Sequence, residues 1–196
     1  MVTPWDEERL IGGHPVLDLT NTVFDRAHPA EDNELLKTPS DVLAWCASAG
    51  IGSAGIGSVG IGSVGIGSVG IGSARPPSVE EVRAVREQVW AVFNAMAHGE
   101  PVPAEPFGAL LERAGTGVRA GQASPEGSIP AYLALLAVQA RFTLPPERVR
   151  SCGRCGWLFL DSSRGGRRRW CSMSTCGNRE KATRHRRVSA SGASGA

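Results

Sequence analysis

Apolar residues return at intervals of three and four along most of this chain, the period of helices with one buried face. After turn residues from Leu10, Val16, Leu19 and Val23 fall on such a face, with Leu17 and Phe24 widening it and Asp18, Asn21, Thr22 and Asp25 opposite. Residues 27–37 read as loop. Thr38-Pro-Ser-Asp41 then predicts a helix start: Thr38 can cap free backbone donors, Pro39 suits the first helical position, and Asp41 completes a capping box. That helix should end at Gly50. A second capping signature, Ser78-Val-Glu-Glu81, opens the clearest helix, with Val82, Val85, Val89, Val92, Phe93 and Met96 on one face and Gly99 as its stop. A shorter helix is predicted over residues 106–114, closed by Gly115, followed by a turn-rich stretch to residue 129 with room for a short hairpin. Residues 130–142 are apolar on most sides and predict a buried helix. The expected fold class is mainly α, with a helical N-terminal domain over residues 1–144.

One stretch breaks the pattern. From Gly50 to Ala74 the pentapeptide Gly-Ile-Gly-Ser-(Ala or Val) occurs five times in succession. Each unit offers one Ile and one small apolar residue against two glycines, too little side chain for a stacked core. Residues 50–74 are read as a flexible insert, with a small glycine-rich β structure or a contact between chains as the alternative, and no chemistry is assigned to them.

The chain has 196 residues and a mass of 20.6 kDa, room for one ordinary domain plus a small stapled module. With 41% hydrophobic and 20% charged residues and a mean hydropathy of −0.11, it has the composition of a soluble globular protein. No run approaches the length of a membrane span, and the acidic N-terminus lacks the form of a secretory signal, so a cytoplasmic location is expected and no membrane partner. The net charge of +2 hides a division: residues 1–144 hold 9 Lys and Arg against 16 Asp and Glu, while residues 145–196 hold 12 against 3. A basic module for a polyanion joined to an acidic body is the reading this supports.

Four of the five cysteines lie in the basic part, as Cys152-x2-Cys155-x15-Cys171-x4-Cys176. In a reducing compartment such clustering points to a metal rather than disulfides. Zn²⁺ takes four ligands in a tetrahedron, and with all four supplied by sulfur no position stays open for water, so the expected metal is one structural zinc. An iron–sulfur cluster and redox thiols are the alternatives. The expected module is a β-hairpin, with residues 157–160 as one strand, 163–166 as the turn and 167–170 as the return strand, followed by a C-terminal helix. Roughly 45 residues cannot hold themselves together by burial, so the metal would supply the folding energy. Cys46, beside Trp45 on an apolar helix, is read as a plain buried residue.

Beyond Cys176 the chain is a run of helix formers dense in cations. Arg179, Lys181, Arg184, Arg186 and Arg187, with Arg164, Arg167, Arg168 and Arg169 from the hairpin, are the candidate contacts to double-stranded DNA; the bland alternative is a solvated basic helix. Arg179 is open between a pairing with Asp161 and a phosphate. Trp157 and Trp170 are expected to pack over the zinc hairpin rather than stack on bases. Residues 189–196 are expected to be a disordered tail. Asp18, Asn21 and Thr22 form a polar stripe that would line a ligand pocket or tie neighbouring loops. His14, Asp18 and the Glu-rich loop suggest an acid–base set, yet no nucleophile, glycine-rich phosphate loop followed by Lys, or metal-spaced histidine pair accompanies them, and an enzyme is not expected.

Cys152-x2-Cys155, then Phe159-Leu-Asp-Ser-Ser, then Trp170-Cys-Ser-Met-x2-Cys-Gly-Asn-Arg179 resembles the CGNR zinc finger, over residues 145–188. Gly12-Gly-x-Pro-x-Leu-Asp-Leu-x-Asn-Thr22, with Asp41-Val-Leu-Ala-Trp45, resembles the ABATE domain that precedes this finger in predicted bacterial stress-induced transcription regulators. The resemblance implies a helical domain with a sensory or regulatory role and a finger that binds duplex DNA. The helical domain is expected to sense a small-molecule or protein effector or to form a homodimer, since a single finger of this size covers only a short site. Two departures stand out: residues 115–130 look short, and the pentapeptide array replaces a loop. The other partners to weigh are an acidic protein surface and RNA.

Overall fold

In the computed structural model, the described residues are 5, 9–28, 30–52 and 76–193; the pentapeptide array lies outside them from residue 53 on. The order is α1 (Pro15–Thr20), α2 (Pro39–Ser48), α3 (Val79–His98), α4 (Ala104–Arg119), α5 (Ile129–Thr143), β1 (Val149–Ser151), β2 (Leu158–Leu160) and α6 (Asn178–Ala193). The expectation of a mainly helical N-terminal part, followed by a small module with a hairpin, a four-cysteine cluster and a helix, is met.

Local signals decide several boundaries. Thr38 and Asp41 form the reciprocal capping box of α2. At α3, Ser78 Oγ accepts from the Glu81 N–H, and Gly99 closes the helix in the left-handed region at φ 69°. Helix α1 is shorter than its apolar spacing predicts: it stops at Thr20, and Val23 instead pairs as an isolated antiparallel bridge with Glu34.

Helix α4 corrects the reading around Gly115. It runs on through Gly115 and Gly117 to Arg119, and no hairpin forms in residues 115–129. Tertiary packing overrides the glycine signal here, because α4 lies so close to α5 that a Cβ on Gly117 would sit 2.6 Å from Ala131 Cβ. Helix α3 is the hub, touching α1, α2, α4, α5 and both strands. Its buried face, Val82, Val85, Val89, Val92 and Phe93, is fully covered. The same core takes in Val149 and Leu158 from the hairpin, so apolar packing continues across the expected boundary near residue 144.

The hairpin is built from different strands than the sequence suggests. β2 pairs antiparallel with β1, Val149 opposite Leu160 and Ser151 opposite Leu158, while residues 167–170 form no strand. The turn of this hairpin is the loop between Cys152 and Cys155. Helix α6 continues to Ala193, into the segment expected to be a disordered tail.

Gly117→Ala should therefore lower stability by about 1–3 kcal/mol despite the better helix propensity of alanine, because the added methyl forces α4 from α5. A urea midpoint at or above that of the parent chain would remove this account of Gly117.

Candidate metal centre and its junction with the helical domain

Two short backbone devices bring the four sulfurs together. The first is the hairpin turn, in which the Cys152 N–H donates to Trp157 O at 2.8 Å and the Gly156 N–H donates to Cys152 O at 2.9 Å. Gly156 holds φ 72°, and a Cβ there would also lie 3.1 Å from Arg26 Cβ. The second is a single π-helical turn, Met173–Gly177, capped by Ser172, whose Oγ accepts from the Thr175 N–H. Such turns are rare and concentrate at functional positions. This one delivers Cys176 just ahead of the first residue of α6. The Gly153 N–H, donating to Arg169 O at 3.2 Å, ties the two halves together.

The four Sγ atoms of Cys152, Cys155, Cys171 and Cys176 lie within 4.8 Å of one another, and Cys155, Cys171 and Cys176 stand 3.6 Å apart pairwise. Zn–S bonds of 2.3 Å in a tetrahedron set an edge of roughly 3.8 Å, so the cluster fits one structural Zn²⁺. All four residues are buried. Hydrogen bonding to Cys152 and burial push the Cys155 and Cys171 thiols up, while neighbouring thiols hold Cys152 down. Sulfurs this close cannot share several negative charges without a cation among them, and a coordinated thiol is deprotonated outright. Cys46 stands apart, fully buried, its thiol pushed up to about 12 by burial.

Around the cluster the arginines divide into two groups. Arg168 donates to Trp170 O at 2.9 Å and to Cys171 O, and its guanidinium stacks over Phe159 at 4.7 Å. Its hydrogen bonds thus serve the finger itself. Arg148 and Arg150, which sequence reasoning passed over, donate to Ser163 O at 2.9 Å and Gly166 O at 2.8 Å and so clasp the 161–166 loop. Asp161 accepts from the backbone N–H groups of Ser163 and Arg168 at 2.9 and 2.8 Å; burial alone would raise its pKa, but these donors and the Arg148 charge hold it below the usual carboxylate range. Arg179 is exposed on α6, and Asp161 is satisfied by these other groups. Arg164, Arg167, Arg169, Lys181, Arg184, Arg186 and Arg187 are likewise exposed, Arg169 lying 5.3 Å over the Trp170 ring. Arg154, another residue without a sequence signal, pairs with Glu180 at 3.3 Å and pins the first turn of α6.

The N-terminal polar stripe is turned inward onto this module. Asn21 Nδ2 donates to Leu158 O at 2.8 Å, and the Leu158 N–H donates to Asn21 Oδ1 at 2.9 Å, so one carboxamide pairs with β2 as a neighbouring strand would. Further along the same edge the Leu160 N–H donates to Gly12 O at 2.8 Å, while the Gly12 N–H donates to Asp18 Oδ1 at 2.7 Å. Trp157 Nε1 donates to Val23 O at 2.7 Å, and the Arg26 N–H donates to Cys155 O at 2.9 Å. Thr22 Oγ1 donates to Leu19 O at 2.8 Å and accepts from Arg86 at 3.2 Å. His14 caps α1 through Nδ1, and burial lowers its pKa, which suits an acceptor. Asp18 is buried with its pKa raised to about 7 by desolvation, only partly offset by the Gly12 N–H.

A shallow cleft lies nearby, lined by Val23, Asp25, Arg26, Ala30, Asn33, Glu34, Glu87 and Trp90. Asp18, Asn21 and Thr22 do not line it. Arg26 closes its floor, paired with Glu87 at 2.9 Å and lying 5.0 Å over the Trp90 ring.

Comparison with known families places both halves of the chain. A family model named ABATE, described as "putative stress-induced transcription regulator", matches residues 13–144, and the CGNR zinc finger model matches residues 148–188. No curated protein and no solved structure matches the chain.

Two outcomes follow from the junction. Asn21→Ala leaves the Leu158 N–H and C=O buried without partners, which should cost about 2–4 kcal/mol and speed transfer of zinc to a colorimetric chelator; an unchanged rate would show that the junction does not support the centre. Asp18 titrates upward from its unfolded value, so the folded state prefers the protonated form and loses stability as pH rises towards about 7. Asp18→Asn should thus stabilise the protein at pH 8 by roughly 1–2 kcal/mol, with the gain shrinking at pH 6.

Proposed function

Because the chain belongs to the ABATE family and carries a CGNR zinc finger, we propose that it regulates transcription by binding duplex DNA through α6 and the loop before it, with the helical domain as the regulatory part. The observation that carries this reading is the state of α6. Its cations Arg179, Lys181, Arg184, Arg186 and Arg187 are all exposed, and none of its described side chains joins either apolar cluster. Sixteen residues give it a length of roughly 24 Å, enough to lie along a major groove. The zinc cluster and the Arg154–Glu180 pair fix its root. Arg164, Arg167 and Arg169 extend the basic surface onto the loop, where the bonds from Arg148 and Arg150 hold the backbone still. Of the nine cations singled out by sequence, Arg168 is the one reassigned here, to holding the finger together.

The finger is a docking element, not a catalyst: four buried thiolates leave the metal no open position. The RNA reading is disfavoured because Trp170 packs against Gly153 and Gly177 under Arg169 instead of presenting a free ring for base stacking. Among the described residues no helix is long and apolar enough to cross a membrane.

The test is selection from a random duplex library with zinc-loaded protein at about 150 mM salt, where loose electrostatic binding is damped. An enriched motif that vanishes on chelation is expected. Retention without a motif, or preference for an acidic protein surface or single-stranded RNA, would replace this reading. In the same assay Arg184→Gln should reduce the salt dependence of binding by about one phosphate contact with zinc content unchanged. Arg168→Gln should instead weaken zinc retention.

A further inference from the structure

Helix α4 has a second face that the core does not use. Three of the large apolar side chains exposed among the described residues belong to it and its neighbour: Leu111 at 45%, Val118 at 55% and, on α5, Phe142 at 73%, the last in edge contact with Phe107 at 6.1 Å. Interleaved with Leu111 and Val118 are Gly108 and Gly115, so the face reads Gly108, Leu111, Gly115, Val118 at steps of three, four and three. That is the spacing of a helix-pairing seam.

Glycine inside a helix weakens it, and the reason is usually a close neighbour. Gly117 has such a neighbour in Ala131. Gly108 has none among the described residues: a Cβ there would meet no described atom within 4 Å, and one on Gly115 would meet, of these, the flexible end of Arg119 alone, at 3.4 Å. Among the described residues of the chain, these two glycines have no packing purpose.

We propose that this face pairs with the same face of a second copy, α4 antiparallel to α4 about a twofold axis at the level of position 113 along the helix. The sequence is self-complementary in that arrangement. Gly108 falls opposite Val118 of the second copy and Leu111 opposite its Gly115, so each large side chain meets a gap. No other antiparallel register of the four positions does this at both levels. The ends of the polar edge agree: Glu105 is exposed near its start and Arg119 near its end, and antiparallel pairing carries each Arg119 to within about a helical turn of Glu105 on the other copy, while Glu112, exposed midway along the edge, lies near its own mate at the axis. A parallel pairing would set like charges together. An interface built this way is isologous and closes at two copies. Phe107 and Phe142 would widen it beyond the helix pair.

The test is sedimentation of the zinc-loaded full chain at micromolar concentration, with a mass twice the 20.6 kDa of one chain expected. Leu111→Lys should raise the dissociation constant of the dimer by about tenfold or more. Gly108→Leu provides a variant that misfolding cannot mimic: it improves helix propensity in open space and should raise the melting temperature of the monomer, while filling the gap needed by Val118 and abolishing the dimer. Combining Gly108→Val with Val118→Gly exchanges knob and gap and should restore the dimer. A parent chain that stays monomeric to high micromolar concentration, or a dimer indifferent to Gly108→Leu, overturns the proposal; a folded double variant that remains monomeric overturns its register.

Discussion

A hairpin with three residues in each strand has neither the length nor the area to persist in water, and an isolated one is marginal at best. Whatever covers its free edge therefore decides whether the zinc ligands at its turn are held in place. Here the cover is the segment from Gly12 to Asn21. The Asn21 carboxamide meets both polar groups of Leu158, and Gly12 O takes the next donor along the edge, Leu160. The arrangement of Cys152 and Cys155 rests on those contacts as much as on the sulfurs themselves.

The metal works from the other side of the same problem. Cys171 and Cys176 sit on a loop and a π turn with little apolar material of their own, and the two halves of the finger meet chiefly at the sulfurs, at Gly153 and through Arg168. One divalent ion closes that gap. Protein contacts thus organise the hairpin half, and coordination fastens the α6 half to it. Arg26 joins the two descriptions, since its backbone supports Cys155 while its side chain is clamped by Glu87 and Trp90 of α3.

Features set by neighbours in sequence were legible from the sequence: the box of Thr38 and Asp41, the stop at Gly99, the buried α5 and the four ligands. Features set by distant partners were not. Val149 carries too weak a strand signal to be preferred over residues 167–170 as the mate of β2, and only the three-dimensional pairing settles it. Gly115 reads as a helix stop because nothing local reveals that α4 continues. Asn21 faces inward as an ordinary helix-end polar residue until Leu158, 137 positions away, supplies its partner. The arginines illustrate the same limit, for charge and clustering are identical in Arg168 and Arg169 while their surroundings are opposite.

The covered strand edge also bears on how this protein can be rebuilt. Two recognisable sequence units usually invite cutting at the boundary between them and grafting one onto another scaffold. In this chain the cut would strip the finger of its third strand, because that strand is a side chain and a loop belonging to the other unit. A transplanted finger would have to bring Gly12 and Asn21 with it. The folding unit is the pair, with the seam running through the sheet and not along the chain.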